Sequence, residues 1–524
     1  MLLLAAVGLL LTACHKDAKS KWTILAYYDG NNNIDEMANG TSAGIAEAQE
    51  LEKIGSTDKV QVFAMIGAKK TGGGCKYYHV EKFDNELPDQ FSSTELENLG
   101  AKDMSDKQVL RNFIVEGTKR YPAENYVLLL FDHGGGWRGL LWDDVNGAGG
   151  GMSLPSLREA LDTFHFDVIK FDMCLMSMVE VAYEVKDRAD YMFGCQFVSR
   201  PHSFGSAEWL GALSADPNMT SLDLGKKMVE AANNANLANQ YVGHASLTDL
   251  SKLAPIVSQL GDLGTDLVAQ GGTYGGEIVE ALGNSHNTDL DGTYFIDLRE
   301  FCKNVLQEPN LKNVNRIANE CNAIVSGLND AVVMTMTANT TIPRGGLCIH
   351  FPWRADMFDS ADYVKLQFKA TNWYSFLSKL IAALGGGGGG SDTCIVTGTA
   401  NWPGHSLSSQ TNAYLDTIGG TTAYPIIYAP VNAGNGAFGF QFTISGDMQV
   451  AAEAWDDANG NQTYDVGDGW GFYDADNDGD WTASDMFTIG PGRTVQGVNI
   501  VLSTVTGGMQ KPTFPSRGPI AHTE

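Results

Sequence analysis

Hydrophobic and polar positions divide the chain into two unlike halves. Apolar runs at 22–28, 60–66, 126–131, 168–172 and 191–195 are nearly continuous. A strand with one wet face would alternate, so these runs predict strands covered on both sides. Between them, 34–54, 105–121, 154–164 and 177–188 carry the spacing of amphipathic helices. Further helices are predicted at 222–237, 250–270, 297–305 and 313–328, with late strands at 331–336 and 346–351. Strand–helix alternation of this kind means an α/β fold with a mostly parallel sheet and helices on both faces. The pattern stops at an unbroken glycine run, 385–390, followed by Ser391. Neither helix nor strand tolerates the entropy of such a run, so 385–391 reads as a linker. Beyond it, short runs at 393–398, 424–428, 437–444, 448–455 and 495–501 are separated by Gly, Asn and Asp turns, which predicts a small all-β sandwich. The polar tail, 506–524, is expected to be disordered.

Composition changes this picture in three places. Acids outnumber bases 62 to 35, a formal net charge of −27, which would repel phosphates and excludes a nucleic-acid partner. The first twelve residues are almost wholly apolar and lead into Leu11-Thr12-Ala13-Cys14. That ending resembles the lipobox of bacterial lipoprotein signals, and the run is shorter than the ~20 residues of a membrane helix. The expectation is a signal and tether over 1–20, cleavage before Cys14, lipidation of Cys14, and residence outside the cytoplasm, anchored on the cell envelope. Seven further cysteines follow without a CxxC pair, which argues against zinc.

Chemistry concentrates at two strand ends. The run 126–131 leads into Asp132-His133-Gly134-Gly135-Gly136-Trp137, and the run 168–172 leads into Met173-Cys174. In open α/β sheets, ligands bind where loops converge at the carboxyl ends of strands. If the two strands are parallel, a thiol and an imidazole leave the same rim. Such a pair is an activated nucleophile and its proton carrier. The amides of Gly134 and Cys174 are natural donors for an oxyanion.

The segments Trp22–Tyr28 with Asn31-Asn32-Asn33, Asp132–Gly139, and Asp172-Met173-Cys174-Leu175-Met176-Ser177 together resemble the clostripain family of cysteine peptidases. The resemblance covers about 21–384 and implies a caspase-like three-layer α/β sandwich. It also implies an endopeptidase with Cys174 as nucleophile and His133 as general acid/base, needing no organic cofactor and acting on protein or peptide substrates. Asp172 matches the acid lining a pocket for Arg or Lys before the scissile bond. The usual second acid-bearing loop is replaced by 196–209, where Glu208 is a candidate substitute while Arg200 and His202 would oppose a basic side chain. The loop 143–153 has no Lys or Arg, so self-cleavage there is not expected and the chain should work uncut. For Asp143 and Asp144, just past His133, the readings are orientation of a loop, binding of a cation or loop solvation, with solvation preferred.

The β-rich part, 392–505, holds a second constellation. Nine Asp and no Lys, Arg or Glu fall within 456–485. Asp457, Asn459, Asn461, Thr463, Asp465 and Asp468 occupy positions 1, 3, 5, 7, 9 and 12 of one loop; Asp474, Asp476, Asp478, Asp480 and Asp485 belong to a second with Gly479 at position 6. That is the oxygen spacing of calcium loops, so Ca²⁺ is expected here. The alternatives to a peptidase are an inactive surface binding protein on the same fold and a calcium-dependent adhesin.

Overall fold

The computed structural model describes residues 19–36, 42–84, 87–147, 149–283, 285, 295–340, 344–352, 358–385, 393–419, 422–443, 448–458, 466–475, 485–489 and 493–506. The expected signal segment with Cys14, the expected linker beyond Gly385 and the tail beyond 506 lie outside them.

Among the described residues, eleven strands build the first part: β1 (Ser20–Gly30), β2 (Val60–Ala68), β3 (Gly74–His79), β4 (Thr94–Ala101), β5 (Ala123–Phe131), β6 (Phe166–Asp172), β7 (Ala189–Gly194), β8 (Gly243–Asp249), β9 (Phe295–Asp297), β10 (Val332–Ala338) and β11 (Cys348–His350). Nine form one sheet in the order β10-β8-β7-β6-β5-β1-β2-β3-β4, and β9 pairs with β11 apart from it. The five central strands, β2 to β7 in that order, run parallel, and β3 and β4 on one side and β8 and β10 on the other are added through antiparallel pairings. The strands carrying His133 and Cys174 are the adjacent pair β5 and β6 near the sheet's middle.

Alternation along β1 shows why both faces are covered. Leu25 and Tyr27 enter one core with Phe63, Phe113 and Leu128, whereas Ile24, Ala26 and Tyr28 enter another with Val62, Val127 and Trp209. The helices supplying these layers are α1 (Ala43–Glu52), α2 (Lys107–Arg120), α3 (Leu154–Leu161), α4 (Val179–Val185), α5 (Ser206–Ala215), α6 (Ser221–Ala238), α7 (Leu253–Gly283), α8 (Leu298–Val305), α9 (Asn315–Ala331), α10 (Ser360–Tyr363) and α11 (Asn372–Gly385). Several start where the sequence supplies a cap: Ser42, Asp106, Ser153 and Thr220 each accept a backbone amide of the first turn.

The β-rich part forms two sheets. Thr393–Asn401 lies between Ala437–Thr443 and Thr494–Val501, while Thr411–Gly419, Thr422–Pro430, Met448–Asp456, Gly469–Phe472, Phe487–Ile489 and Ser503–Thr504 make the other. Val396 and Phe440 of the first sheet share one core with Ala413, Leu415 and Ala452 of the second. Among the described residues no helix is long and apolar enough to cross a membrane. Among the described residues, the seven cysteines from Cys75 to Cys394 form no disulfide with one another.

Candidate active site

Register fixes the site. Phe131 on β5 pairs directly with Asp172 on β6, in parallel. His133 and Cys174 each follow two residues later, so both leave the sheet at one rim. The glycine after His133 lets the two tips touch: a Cβ on Gly134 would lie 2.2 Å from Cys174 O and 2.9 Å from Met173 Cβ. No side chain larger than hydrogen fits there without moving backbone.

The thiol's loop is pinned onto the segment after β7. Leu175 adopts φ +63°, a left-handed turn directly beyond Cys174. Its amide donates to Phe197 O at 3.1 Å, and Ser177 N donates to Cys195 O at 2.9 Å. Cys174 Sγ accepts from Ser199 N at 3.2 Å and lies 3.6 Å from Ser199 O. Below it, the buried Cys195 thiol contacts Met173 O, Phe197 O and Ser199 Oγ at 3.0, 3.1 and 2.8 Å. Burial pushes that thiol's pKa up, which leaves it unreactive beside the half-exposed Cys174.

His133 is half-buried, and desolvation moves its imidazole below the ordinary value of 6.5, opposed by the nearby Asp144 carboxylate. Its Nε2 meets Asn33 Oδ1 at 2.7 Å. With that oxygen accepting, Nε2 carries the proton and Nδ1 keeps the lone pair. Asn33 stands just past β1, whose tip is tied to the histidine loop by a polar lattice. Asn32 Nδ2 donates to Asp132 Oδ1 and to Trp142 O, both at 2.6 Å. Asp132 also accepts the amide of Trp142, and desolvation raises its pKa well above normal. Asp143 is buried, not solvated as its sequence position suggested. It accepts Asn31 Nδ2 and Met104 N at 3.0 Å and Asn146 N at 2.6 Å, and so orients the loop. Asp144 is exposed and lines an open cleft with Asn33, His133, Gly134 and Trp142.

The acids expected to receive a substrate side chain are engaged elsewhere. Asp172 is 1% exposed and ion-paired to the fully buried Lys170, two residues earlier on β6. Desolvation lifts its pKa to about 6 despite that cation. Glu208 sits on the exposed surface of α5 and accepts Asn234 Nδ2 of α6 at 2.9 Å. Asn33, Ser199 and Lys170 were missed in the sequence. The asparagine repeat was legible as a motif, but nothing along the chain showed which amide would face the histidine.

In the β-rich part, Asn459, Asn461, Thr463, Asp465, Asp476, Asp478 and Asp480 lie outside the described residues. Among those described, no three His, Cys, Asp or Glu side chains converge as a metal site. The loop ends are described. Ala458 N donates to Asp468 Oδ1 at 3.1 Å and Ala475 N to Asp485 Oδ1 at 2.7 Å, so residue 2 bonds residue 12 in both loops.

Residues 26–376 match the model of the clostripain family. Clostripain of Hathewaya histolytica is 23% identical over 407 residues, spanning 64% of this chain and 76% of that protein. Two solved structures share the fold. One is an inactive zymogen C11 protease from Parabacteroides distasonis (18% identity, TM-score 0.51). The other is a secreted C11 cysteine protease from Bacteroides thetaiotaomicron in complex with an irreversible peptide inhibitor (19% identity, TM-score 0.51). Each is covered over 99% of its length and covers 69% of this chain. A parallel sheet carrying a thiol and an imidazole on adjacent strand tips, matched across two-thirds of the sequence, places the chain in the clostripain family of cysteine peptidases.

Proposed function

We propose that the protein cleaves peptide bonds internally with Cys174 as nucleophile and His133 as general acid and base. The observation that carries this reading is the Phe131–Asp172 register, which sends both residues off one rim of the sheet. Cys174 Sγ attacks the carbonyl carbon while His133 Nδ1 accepts the thiol proton. The amides of Gly134 and Cys174 hold the oxygen that becomes negative. His133 returns the proton to the leaving amine, and water then releases the acyl group by the same route. A neutral resting imidazole, favoured by its half-buried position, suits the first step.

A lipid anchor on Cys14 and residence on the cell envelope belong to the same reading and rest on the lipobox-like sequence. So does calcium in the β-rich part. The repeated bond from loop position 2 to position 12 supports it, and Asp457, Asp468, Asp474 and Asp485 would be among the ligands. Calcium there would stabilise the loops and supplies no catalytic step. An Arg or Lys preference is the expectation carried by Asp172, and the Lys170 ion pair stands against it.

The test is labelling of the full chain by an irreversible, thiol-directed peptidyl probe, alongside turnover of a mixed peptide library. Cleavage and labelling that both vanish in Cys174→Ala support the reading. A wild-type chain that neither labels nor cleaves is instead a binding protein or adhesin on a peptidase fold.

A further inference from the structure

Lys170 is the least expected residue in the sheet. It sits on a central strand, fully buried, where an apolar side chain would be routine. Residues i and i+2 of a strand share a face, so Lys170 and Asp172 project to the same side. There the ammonium meets the Asp172 carboxylate and three aromatic faces, with ring centroids 4.6 Å away for Phe193, 5.3 Å for Phe204 and 5.9 Å for Trp209. A carboxylate, an aromatic cage and exclusion of water are what a protein offers a basic side chain it means to bind. Here the cage already holds one, supplied by the chain itself.

Among the described residues, the surroundings of the pair offer no second anion. Glu47, the other buried acid near this pair, accepts the amide of His202, and burial lifts its pKa to about 8, so it is uncharged at neutral pH. Glu208 is turned to the surface, and Arg200 and His202 add basic groups to the same segment. Ser199, whose backbone holds the Cys174 thiol, also borders a narrow cavity of about 10 Å³ walled by Phe193, Phe204, Asn236 and His244. That volume admits about one water. Its lining contains no acid, and burial holds His244 neutral with a pKa of about 3.

We propose that Lys170 sets the specificity of this peptidase: as the built-in counter-ion of Asp172, it excludes Arg and Lys before the scissile bond and leaves a site for small, uncharged side chains. This rests on the peptidase reading above. The test is kcat/KM for full-length protein on a peptide series that varies only the residue before the scissile bond. Ala or Ser at that position should be cleaved at least tenfold better than Lys or Arg. Lys170→Ala should raise the Lys-to-Ala ratio at least tenfold, and adding Asp172→Asn should abolish that gain. Lys170→Met, which keeps the aliphatic stem inside the cage, replaces the alanine variant if that one fails to fold. A wild-type chain that prefers Arg or Lys, or a folded Lys170 variant with an unchanged ratio, overturns the inference while leaving the peptidase reading intact. A chain that cleaves nothing and is not labelled at Cys174 overturns both.

Discussion

Removing the Asn33 side chain tests whether the histidine is oriented from β1. In Asn33→Ala the 2.7 Å bond to His133 Nε2 disappears, and the half-buried imidazole loses the partner that selects its tautomer and ring angle. A bond of this kind contributes about 1–3 kcal/mol when one partner is removed from a partly desolvated site. If that contribution is expressed in the transition state, kcat/KM falls about 5- to 150-fold. The loss should appear in kcat with KM nearly unchanged, since Asn33 acts through the base. The pH profile is the sharper readout. Desolvation depresses the imidazole pKa, so the acid limb of kcat/KM should lie below 6.5, the ordinary histidine value. Asn33→Asp would set a carboxylate against the ring and should restore much of the rate while moving that limb upward. If Asn33→Ala stays within twofold of the wild type with the same profile, the histidine is positioned by something else and the reasoning fails.

Gly134→Ala should cost at least a hundredfold in kcat, because the new Cβ meets Cys174 O at 2.2 Å and neither backbone can yield without moving the thiol; a variant within tenfold of the wild type would contradict this. Glu47 has a folded pKa of about 8 against 4.5 when free, so the native state holds a proton that the unfolded chain has lost between those values. This group therefore makes stability fall as pH rises through that window, by at most ~1.4 kcal/mol per pH unit, and Glu47→Gln should flatten the slope measured by urea titration. Calcium should raise the melting temperature of the full chain, and Asp468→Asn with Asp485→Asn should shrink that rise; indifference to calcium and chelator alike would remove the ion from the account.

The parts of the fold that burial dictates were legible in the sequence. The strands ending at Phe131 and Asp172 are apolar on both faces because both faces are covered, and their runs announced it. What escaped was whatever burial does not dictate. β4 is a polar edge, Thr94–Ala101, with no hydrophobic period to read. The strand β8, Gly243–Asp249, holds His244, Ser246 and Thr248 inside, so its sequence looks like a loop. Helix α5 was hidden by the glycine and proline before it. The same limit applied to the site. Cys174 and His133, the pair proposed for catalysis, were picked out by type and by following strands, and the register brings them to one rim. Lys170 read as one polar interruption of a strand, and only its three-dimensional partners give it a meaning.

Direct pairing of Phe131 with Asp172 has a thermal corollary. The groups proposed to react hang from the central hydrogen-bonded ladder itself, so they are as durable as the ladder. On heating, catalytic failure should coincide with collapse of the near-ultraviolet dichroism of the whole domain, with no cooler interval in which a folded but idle enzyme accumulates.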